Sequence, residues 1–187
     1  MGNKLLIVID AQEDFTRGAL RNEEAIKALP VVHDVVEYAY SNGMEIVYTR
    51  DTHSKEEYLK TQEGVNLPVE HCIFKTAGWD ICPEAMCSGM VYPEIINKNS
   101  FGTLEWRWIP YRNIDEIWIC GFCTDICVSA NFQIIKAFCP EIPITIISDA
   151  CAGVTPELHK AALDVMKSCQ AKIKTWKELK EGENNET

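Results

Sequence analysis

Apolar blocks alternate with amphipathic and polar blocks along this chain, and the alternation predicts strands followed by helices. Residues 5–9 form a continuous apolar run, typical of a strand buried on both faces, and the run ends at Asp10. Shorter β-branched or aromatic runs predict further strands at residues 44–49, 91–97, 117–120, 142–147 and 171–175. From Lys177 onward the chain is polar, which predicts a tail that frays.

Two of the intervening blocks carry recognisable helix signals. Residues 22–42 predict a helix that is capped by Asn22 and that Pro30 kinks or divides in two. A later helix is expected to begin with Thr155 as its cap and Pro156 at its first position. Near both ends of the chain, a predicted strand is therefore followed by a predicted helix.

A third helix is predicted after the strand at 117–120. Thr124 and Asp125 suit its cap and first turn. Helical spacing predicts that its buried face carries Cys127, Ala130, Ile134 and Phe138. Because a helix N-terminus offers unpaired N–H groups and a partial positive charge, a cysteine in the first turn is favoured as a thiolate. Cys127 is therefore a candidate nucleophile.

Repeated strand–helix units with short connections predict the fold class. They indicate a three-layer, doubly wound α/β domain with a mostly parallel six-stranded sheet and helices on both faces. We expect residues 1–187 to form one domain, because this length suits a single well-buried core. The segment from about 50 to 90 lacks strong periodicity, and so long a loop is usually functional.

Charge and cysteine content narrow the class of partner. The net charge of -10 argues against a nucleic acid or an anionic membrane surface as a partner. The apolar run at 5–9 is too short for a secretion signal, and no run approaches transmembrane length. With an odd count of nine cysteines, these features predict free thiols in the cytoplasm.

Several polar residues follow the predicted strands and are expected to meet at one edge of the sheet. In parallel sheets, ligands bind outside the carboxyl ends of the strands. The residues at these ends are Asp10, Asp51, His53, Lys98 and Cys127. Among them, a carboxylate can take a thiol proton and an ammonium can stabilise the thiolate.

The same segments allow other chemistry. Asp51-x-His53 with His71 provides three nitrogen and oxygen ligands, as in a catalytic metal site that keeps open positions. Cys120-x-x-Cys123 has the form of a redox dithiol, although Cys120 ends a strand where such a motif normally opens a helix. An iron–sulfur cluster would need a fourth ligand, which has no obvious candidate near these cysteines.

Three motifs together resemble the isochorismatase-like cysteine hydrolases. They are Asp10-Ala-Gln-Glu-Asp-Phe15, Lys98-Asn-Ser-Phe101 and Gly121-Phe-Cys-Thr-Asp-Ile-Cys127-Val, and the similarity spans about residues 4 to 175. Asp51-x-His53 with Pro68-x-x-His71-Cys72 further resembles the nicotinamidase/pyrazinamidase branch.

The resemblance implies a site and a cofactor. It implies a catalytic triad of Asp10, Lys98 and Cys127, a cis peptide before Cys123, and an oxyanion hole made by the amides of Cys123 and Cys127. It implies a divalent metal, zinc first and manganese or iron as alternatives, held by Asp51, His53 and His71 with Glu63 as a further candidate ligand. Residues expected to contact substrate are Phe15, Leu67 and Phe122.

The pocket departs from the family pattern in its aromatic residues. Leu67 stands where the family has its second aromatic, and the residues that could replace that wall are Trp79, Phe101, Trp106 and Trp108. Exposed tryptophans such as Trp106 and Trp108 also suggest an interface, so we expect a homo-oligomer.

These features predict a metal-dependent amidohydrolase that converts nicotinamide to nicotinate and ammonia through a Cys127 thioester. The alternatives are another hydrolase of this superfamily acting on a different small amide or a vinyl ether, a dithiol oxidoreductase using Cys120 and Cys123, and a non-catalytic binding protein. The intact set of Asp10, Lys98 and Cys127 argues against the last.

Overall fold

A computed structural model describes residues 3–185 of the chain. Its strands are β1 Lys4–Ile9, β2 Glu45–Asp51, β3 Glu94–Lys98, β4 Glu116–Phe122, β5 Ile144–Ala152 and β6 Lys172–Lys174. They form a six-stranded sheet in the order β3-β2-β1-β4-β5-β6, and every neighbouring pair is parallel. The predicted α/β fold with a six-stranded, mostly parallel sheet is confirmed.

The helices connect these strands and cover the sheet. They are α1 Glu13–Thr16, α2 Glu23–Ser41, α3 Gln62–Asn66, α4 Ser129–Phe138, α5 Pro156–Ser168 and α6 Trp176–Asn185. The chain runs from β1 outward to β3 on one side and returns to β4 on the other. Because parallel crossovers are right-handed as a rule, this reversal of direction puts helices on opposite faces of the sheet and leaves a crevice at the strands' carboxyl ends.

The core is built on the central strands. All five residues from Leu5 to Ile9 are fully buried, as are Ile117 to Cys120 of the neighbouring β4. Such strands read as continuous apolar runs because both of their faces are covered. The predicted single domain over 1–187 stays a prediction, and the core cluster, which extends from β1 to Leu179 of α6, agrees with it.

The helix that follows β4 differs from its prediction. It opens with a π-helical turn over Thr124–Val128 before α4 begins, and Thr124 lies inside this turn instead of capping it. The residues that face the core are Cys127, Val128, Asn131, Phe132 and Ile135, whereas Phe138 is exposed. Of the predicted face, Cys127 is buried as expected, Ala130 and Ile134 are half-buried, and Ile134 packs against the core. The prediction for Phe138 was wrong, because the π-turn changes the spacing on which it rested.

Two other local predictions differ from the structure. Pro30 lies inside α2, which runs unbroken from Glu23 to Ser41, so the expected division in two was wrong and the kink stays a prediction. The polar tail does not fray within the described residues but forms α6, because Trp176 and Leu179 bury their side chains. Asn22 and Thr155 do cap α2 and α5, as predicted.

The long segment between β2 and β3 is ordered by short elements and side-chain contacts. It contains 3-10 turns at Tyr58–Lys60, Ala77–Trp79 and Pro83–Ala85 in addition to α3. Within it, the Tyr58 hydroxyl donates to the Leu67 carbonyl at 2.8 Å. The Cys72 amide donates to Asp14 Oδ2 at 2.6 Å, which ties the segment to α1. Across residues 3–185, no helix combines the length and apolar character needed to cross a membrane.

Candidate active site

A cavity of about 550 Å³ lies at the carboxyl ends of the central strands. Asp51, His53, His71, Cys123 and Cys127 are among its lining residues. Lys98 ends β3, and Asp10 directly follows β1. The structure therefore brings to one place the residues that sequence reasoning had put at one edge of the sheet.

Lys98 is the centre of this constellation. Its Nζ lies 2.7 Å from Asp10 Oδ2, 3.4 Å from Asp51 Oδ1 and 3.5 Å from Cys127 Sγ. Its ammonium is nearly completely buried, as are both carboxylates. An ammonium enclosed by two carboxylates and a thiol is compensated for the loss of water by direct charge partners.

The electrostatics of the three groups follow from burial and this close contact. Burial disfavours a charged Lys98, but Asp10, Cys127 and Asp51 outweigh it, so the Lys98 pKa is raised. Burial raises the pKa of Asp10; Lys98 opposes this effect and Asp51 adds to it. Burial also raises the pKa of Cys127, as does Asp10, while Lys98 lowers it. The resting pair is therefore a neutral thiol beside a carboxylate that is more basic than usual.

Thr49 fixes the orientation of Asp10. Its hydroxyl donates to Asp10 Oδ1 at 2.6 Å and accepts from the Asp10 amide at 3.1 Å. Asp10 itself has a positive φ of 46°, a conformation that aspartate tolerates better than most residues. Sequence reasoning missed Thr49, since a threonine inside a strand is ordinarily a packing residue.

Beside Lys98, four side chains form a cluster suited to a divalent cation. One ligand atom from each of Asp51, His53, Glu63 and His71 lies within 4.8 Å of all the others. Asp51 Oδ2 is 2.9 Å from His53 Nε2, and Glu63 Oε1 is 3.4 Å from His71 Nε2. Two imidazoles with two carboxylates suit zinc, manganese or iron, so the residues present fit the implied group.

Neighbouring groups orient these ligands. The Gln12 side chain accepts from the Asp51 amide at 2.7 Å and donates to the Asp51 carbonyl at 2.9 Å. His71 Nδ1 donates to the Val69 carbonyl at 2.8 Å, which leaves Nε2 directed at the cluster. Gln12 stands inside the Asp10–Phe15 motif but was given no role there, because its bonds to Asp51 join two strand ends that are distant in sequence.

The walls of the cavity correct several predictions about substrate contacts. Phe15 and Leu67 line the cavity, as does Phe101. The Phe122 side chain is fully buried in the core, so its predicted contact with substrate is not supported. Of the four aromatics proposed to complete the wall, only Phe101 lines this cavity, whereas Trp106 is fully buried.

The cysteines also separate by environment. All nine are free thiols. The peptide bond before Cys123 is cis, as the resemblance implied. Burial raises the pKa of Cys123 to about 12 and that of the completely buried Cys120 well above its usual value. Thiols of this kind do not form a reactive exposed dithiol, which disfavours the redox alternative.

A family model described as the Isochorismatase domain matches residues 4–178. The chain belongs to the isochorismatase family. It is accordingly a hydrolase with the fold and motifs of that family, and the resemblance found in its motifs is confirmed.

Relatives and solved structures agree with this assignment. The nicotinamidase/pyrazinamidase of Mycobacterium tuberculosis is 24% identical and aligns with 91% of this chain and 97% of its own length. A protein of Arabidopsis thaliana named a probable inactive nicotinamidase is 26% identical over 96% of this chain and 95% of its own.

Among structures, the nicotinamidase/pyrazinamidase of Bacillus subtilis has a TM-score of 0.80 at 25% identity, covering 92% of this chain and 99% of that one. The pyrazinamidase of Pyrococcus horikoshii, solved in complex with zinc, has a TM-score of 0.75 at 27% identity. The match covers 93% of this chain and 99% of that one.

Proposed function

We propose that this protein is a metal-dependent nicotinamidase that hydrolyses nicotinamide to nicotinate and ammonia through a thioester on Cys127. The observation that carries the proposal is the position of Lys98, whose ammonium contacts Asp10, Asp51 and Cys127 at the cavity. The cation cluster shares Asp51 with this set. The names of relatives from M. tuberculosis and B. subtilis support the same substrate.

In the acylation half-reaction, Asp10 takes the Cys127 proton as the sulfur attacks the amide carbonyl. The raised pKa of Asp10 suits it to hold that proton, and Lys98 stabilises the sulfur while negative charge develops there. The carbonyl oxygen becomes an oxyanion on the backbone amides of Cys123 and Cys127. The carbon–nitrogen bond then breaks, and the nitrogen leaves as ammonia with the proton from Asp10.

In the deacylation half-reaction, water attacks the thioester carbonyl while Asp10 again accepts a proton. A second tetrahedral oxyanion collapses, the carbon–sulfur bond breaks, and the Cys127 sulfur recovers the proton. The carboxylic acid product is released, and the three residues return to their starting states. Lys98 remains protonated throughout, in keeping with its raised pKa.

The cluster of Asp51, His53, Glu63 and His71 would hold the divalent cation beside the reacting groups. When bound, the cation would supply an orienting contact to the substrate's ring nitrogen. Phe15 and Phe101 line the cavity and would contact the ring, and Leu67 adds an aliphatic wall.

The proposal is tested by measuring ammonia release from nicotinamide with metal-loaded and chelated protein in parallel. We expect turnover that is lost on chelation and restored by adding back zinc or manganese. Cys127→Ala should abolish turnover without changing the far-ultraviolet circular dichroism spectrum, and Cys169→Ala, at an only partly buried cysteine outside the cavity, is the matched control. Full activity of Cys127→Ala would refute the thioester mechanism.

A second candidate is hydrolysis of a different small amide or a vinyl ether by the same residues. It is favoured by Leu67, which is aliphatic, lines the cavity and keeps 38% of its surface exposed. Metal-loaded protein that ignores nicotinamide but releases ammonia from an aliphatic or carbamoyl amide would select this candidate.

A further inference from the structure

Asn131 occupies a position where a polar side chain needs an explanation. It lies on the core-facing side of α4, one helical turn after Cys127, and is fully buried. A buried carboxamide that lacks hydrogen-bond partners destabilises the folded state, because it loses its bonds to water and gains nothing in return. The residues around Asn131 must therefore supply hydrogen-bond partners for its carboxamide.

The carboxamide of Asn131 makes four hydrogen bonds, which use its full capacity on both sides. Its Nδ2 donates to the Cys127 carbonyl at 2.7 Å and to the Phe101 carbonyl at 3.0 Å. Its Oδ1 accepts from Trp106 Nε1 at 2.7 Å and from the Thr103 amide at 3.1 Å. One bond goes to the π-helical turn that carries the nucleophile, and three go to residues 99–106.

Residues 99–106, here called the wall loop, form part of the cavity. Asn99, Ser100 and Phe101 line the same cavity as Cys127. The loop approaches α4 closely at Gly102, where a Cβ would lie 2.5 Å from Ile134 Cδ1. A loop without regular secondary structure over 99–103 depends on such contacts to keep one position.

We propose that Asn131 is a positioning residue that fixes the wall loop against the nucleophile turn and so sets the distance of Phe101 from Cys127. This inference rests on the proposed function, because an aromatic amide would use Phe101 as one wall of its site. Trp106 takes part in the same hydrogen-bond network. Its indole N–H anchors the end of the wall loop, and its side chain does not contact substrate. An incorrectly held loop would reduce the fraction of molecules ready to bind.

The first test compares two fully buried tryptophans, one of which donates a hydrogen bond to Asn131. Trp106→Phe removes the indole donor to Asn131, whereas Trp118→Phe makes the same change at a fully buried tryptophan whose Nε1 has no hydrogen-bond partner among the described residues. For Trp106→Phe we expect KM for nicotinamide to rise about three- to tenfold, as for the loss of one hydrogen bond, with kcat changed less than about twofold. Trp118→Phe should change neither constant by more than about twofold.

The second variant, Asn131→Asp, keeps the acceptor for Trp106 and Thr103 but removes both donors. It should raise KM and also lower kcat, because the Cys127 carbonyl loses its partner. Asn42→Asp makes the same chemical change at the far end of α2, where Asn42 Nδ2 donates to the Tyr38 carbonyl, and should be neutral. If Asn131→Asp does not fold, the tryptophan pair still decides the question.

Hydrogen exchange of residues 99–106 is measured in parallel because it does not depend on the substrate. Faster exchange in Trp106→Phe than in Trp118→Phe supports the inference. Equal exchange in both overturns it, as does an unchanged KM in a protein that turns nicotinamide over. If wild-type protein does not hydrolyse nicotinamide, the proposed function fails, and the exchange comparison alone then supports or overturns the role of Asn131.

Discussion

At the scale of single residues, the proposed chemistry depends on how two carboxylates share one ammonium. Asp10 Oδ2 and Asp51 Oδ1 lie 2.7 and 3.4 Å from Lys98 Nζ. Burial would raise the pKa of Asp51, but His53, His71 and Lys98 lower it below its usual value. Asp10 keeps a raised pKa. Two aspartates at one ammonium therefore differ in basicity, which leaves Asp10 to carry the proton and Asp51 to remain charged.

We predict that Asp10→Asn has opposite effects on two properties of Cys127. Turnover should fall at least about 100-fold, because the proton acceptor is lost. The pKa of Cys127 should fall, because the negative charge that raises it is removed while Lys98 stays. Alkylation by iodoacetamide measured against pH checks this, with exposed Asp164→Asn as the control; an alkylation profile displaced to higher pH would contradict the assignment.

A second residue-scale prediction concerns His71 and the metal. Burial lowers the pKa of His71, but the hydrogen bonds that its imidazole donates to the Asp51 and Glu63 carboxylates outweigh this effect and raise the pKa to about 10. In metal-free protein, the charged imidazole stabilises the fold fully below its unfolded pKa of about 6.5, and this contribution is lost as the pH rises through about 10. A cation must displace this proton, so metal affinity should increase by up to about tenfold per pH unit within that window.

Competition with a chromophoric chelator at about pH 6.5, 7.5 and 8.5 measures this dependence. His71→Gln should bind metal more weakly and lose most of the dependence, while His33→Gln, outside the cluster, should retain both. An affinity of wild-type protein that does not change with pH would show that no proton is displaced.

At the scale of elements, the turn that carries the nucleophile illustrates why local patterns can mislead. The spacing of apolar residues predicted a regular helix from Thr124, whereas the chain forms a π-turn and then α4. The Thr124 hydroxyl bonds with His159 Nδ1 of α5 at 2.8 Å, and Asp125 Oδ1 accepts from the Val154 amide at 2.9 Å. Both side chains that suit a helix cap are thus used by tertiary partners.

Helix α6 provides an element-scale prediction. Its polar sequence suggested fraying, but Leu179 is 2% exposed, and the helix packs against β5. Leu179→Ala should lower the free energy of unfolding by about 2–4 kcal/mol, through lost apolar contact and the cavity left behind. Urea denaturation measures this change. Lys177→Ala, at an exposed position of the same helix, should stay within about 0.5 kcal/mol, and a loss below that limit for Leu179→Ala would mean that α6 adds little to the fold.

At the scale of the whole molecule, the strand order decides where the site forms. β1 lies between β2 and β4, so the carboxyl ends that carry Asp10, Asp51 and the nucleophile turn are neighbours. Lys98 reaches them from β3, one strand further out, because its side chain extends to the Asp10 carboxylate. Of the candidate catalytic groups, Asp10 and Lys98 are therefore positioned by strand ends and Cys127 by the turn that follows β4, which favours a fixed geometry.

The surface supports a prediction about assembly. Trp108 is 71% exposed in a 3-10 turn that packs on α4, and Phe138 of α4 is 43% exposed. Exposed aromatic residues on adjoining elements are typical of an interface, so we predict a homo-oligomer. Light scattering after size exclusion should give a mass that is a multiple of 21.2 kDa, the mass of one chain. Trp108→Glu should shift the measured mass toward that of one chain. A wild-type mass of one chain would exclude this interface.

The sequence by itself determined the order of the elements and the choice of candidate reacting groups. Buried parallel strands read as apolar runs, and the residues that follow them, Asp10, Asp51 and Cys127, can be assigned to one edge without coordinates. Lys98 and His71 could also be named as candidates, since charged and imidazole groups after strands or in a long loop are chemically conspicuous.

Only the tertiary structure decided which residues hold these groups in place. Thr49, Gln12 and Asn131 act through hydrogen bonds to partners 39, 39 and as many as 30 residues away along the chain. Hydrogen bonds over such separations leave no periodic trace in the sequence. The same reason explains the π-turn, the burial of Trp106 and the helical C-terminal segment: each depends on partners that the fold, and not the neighbouring sequence, provides.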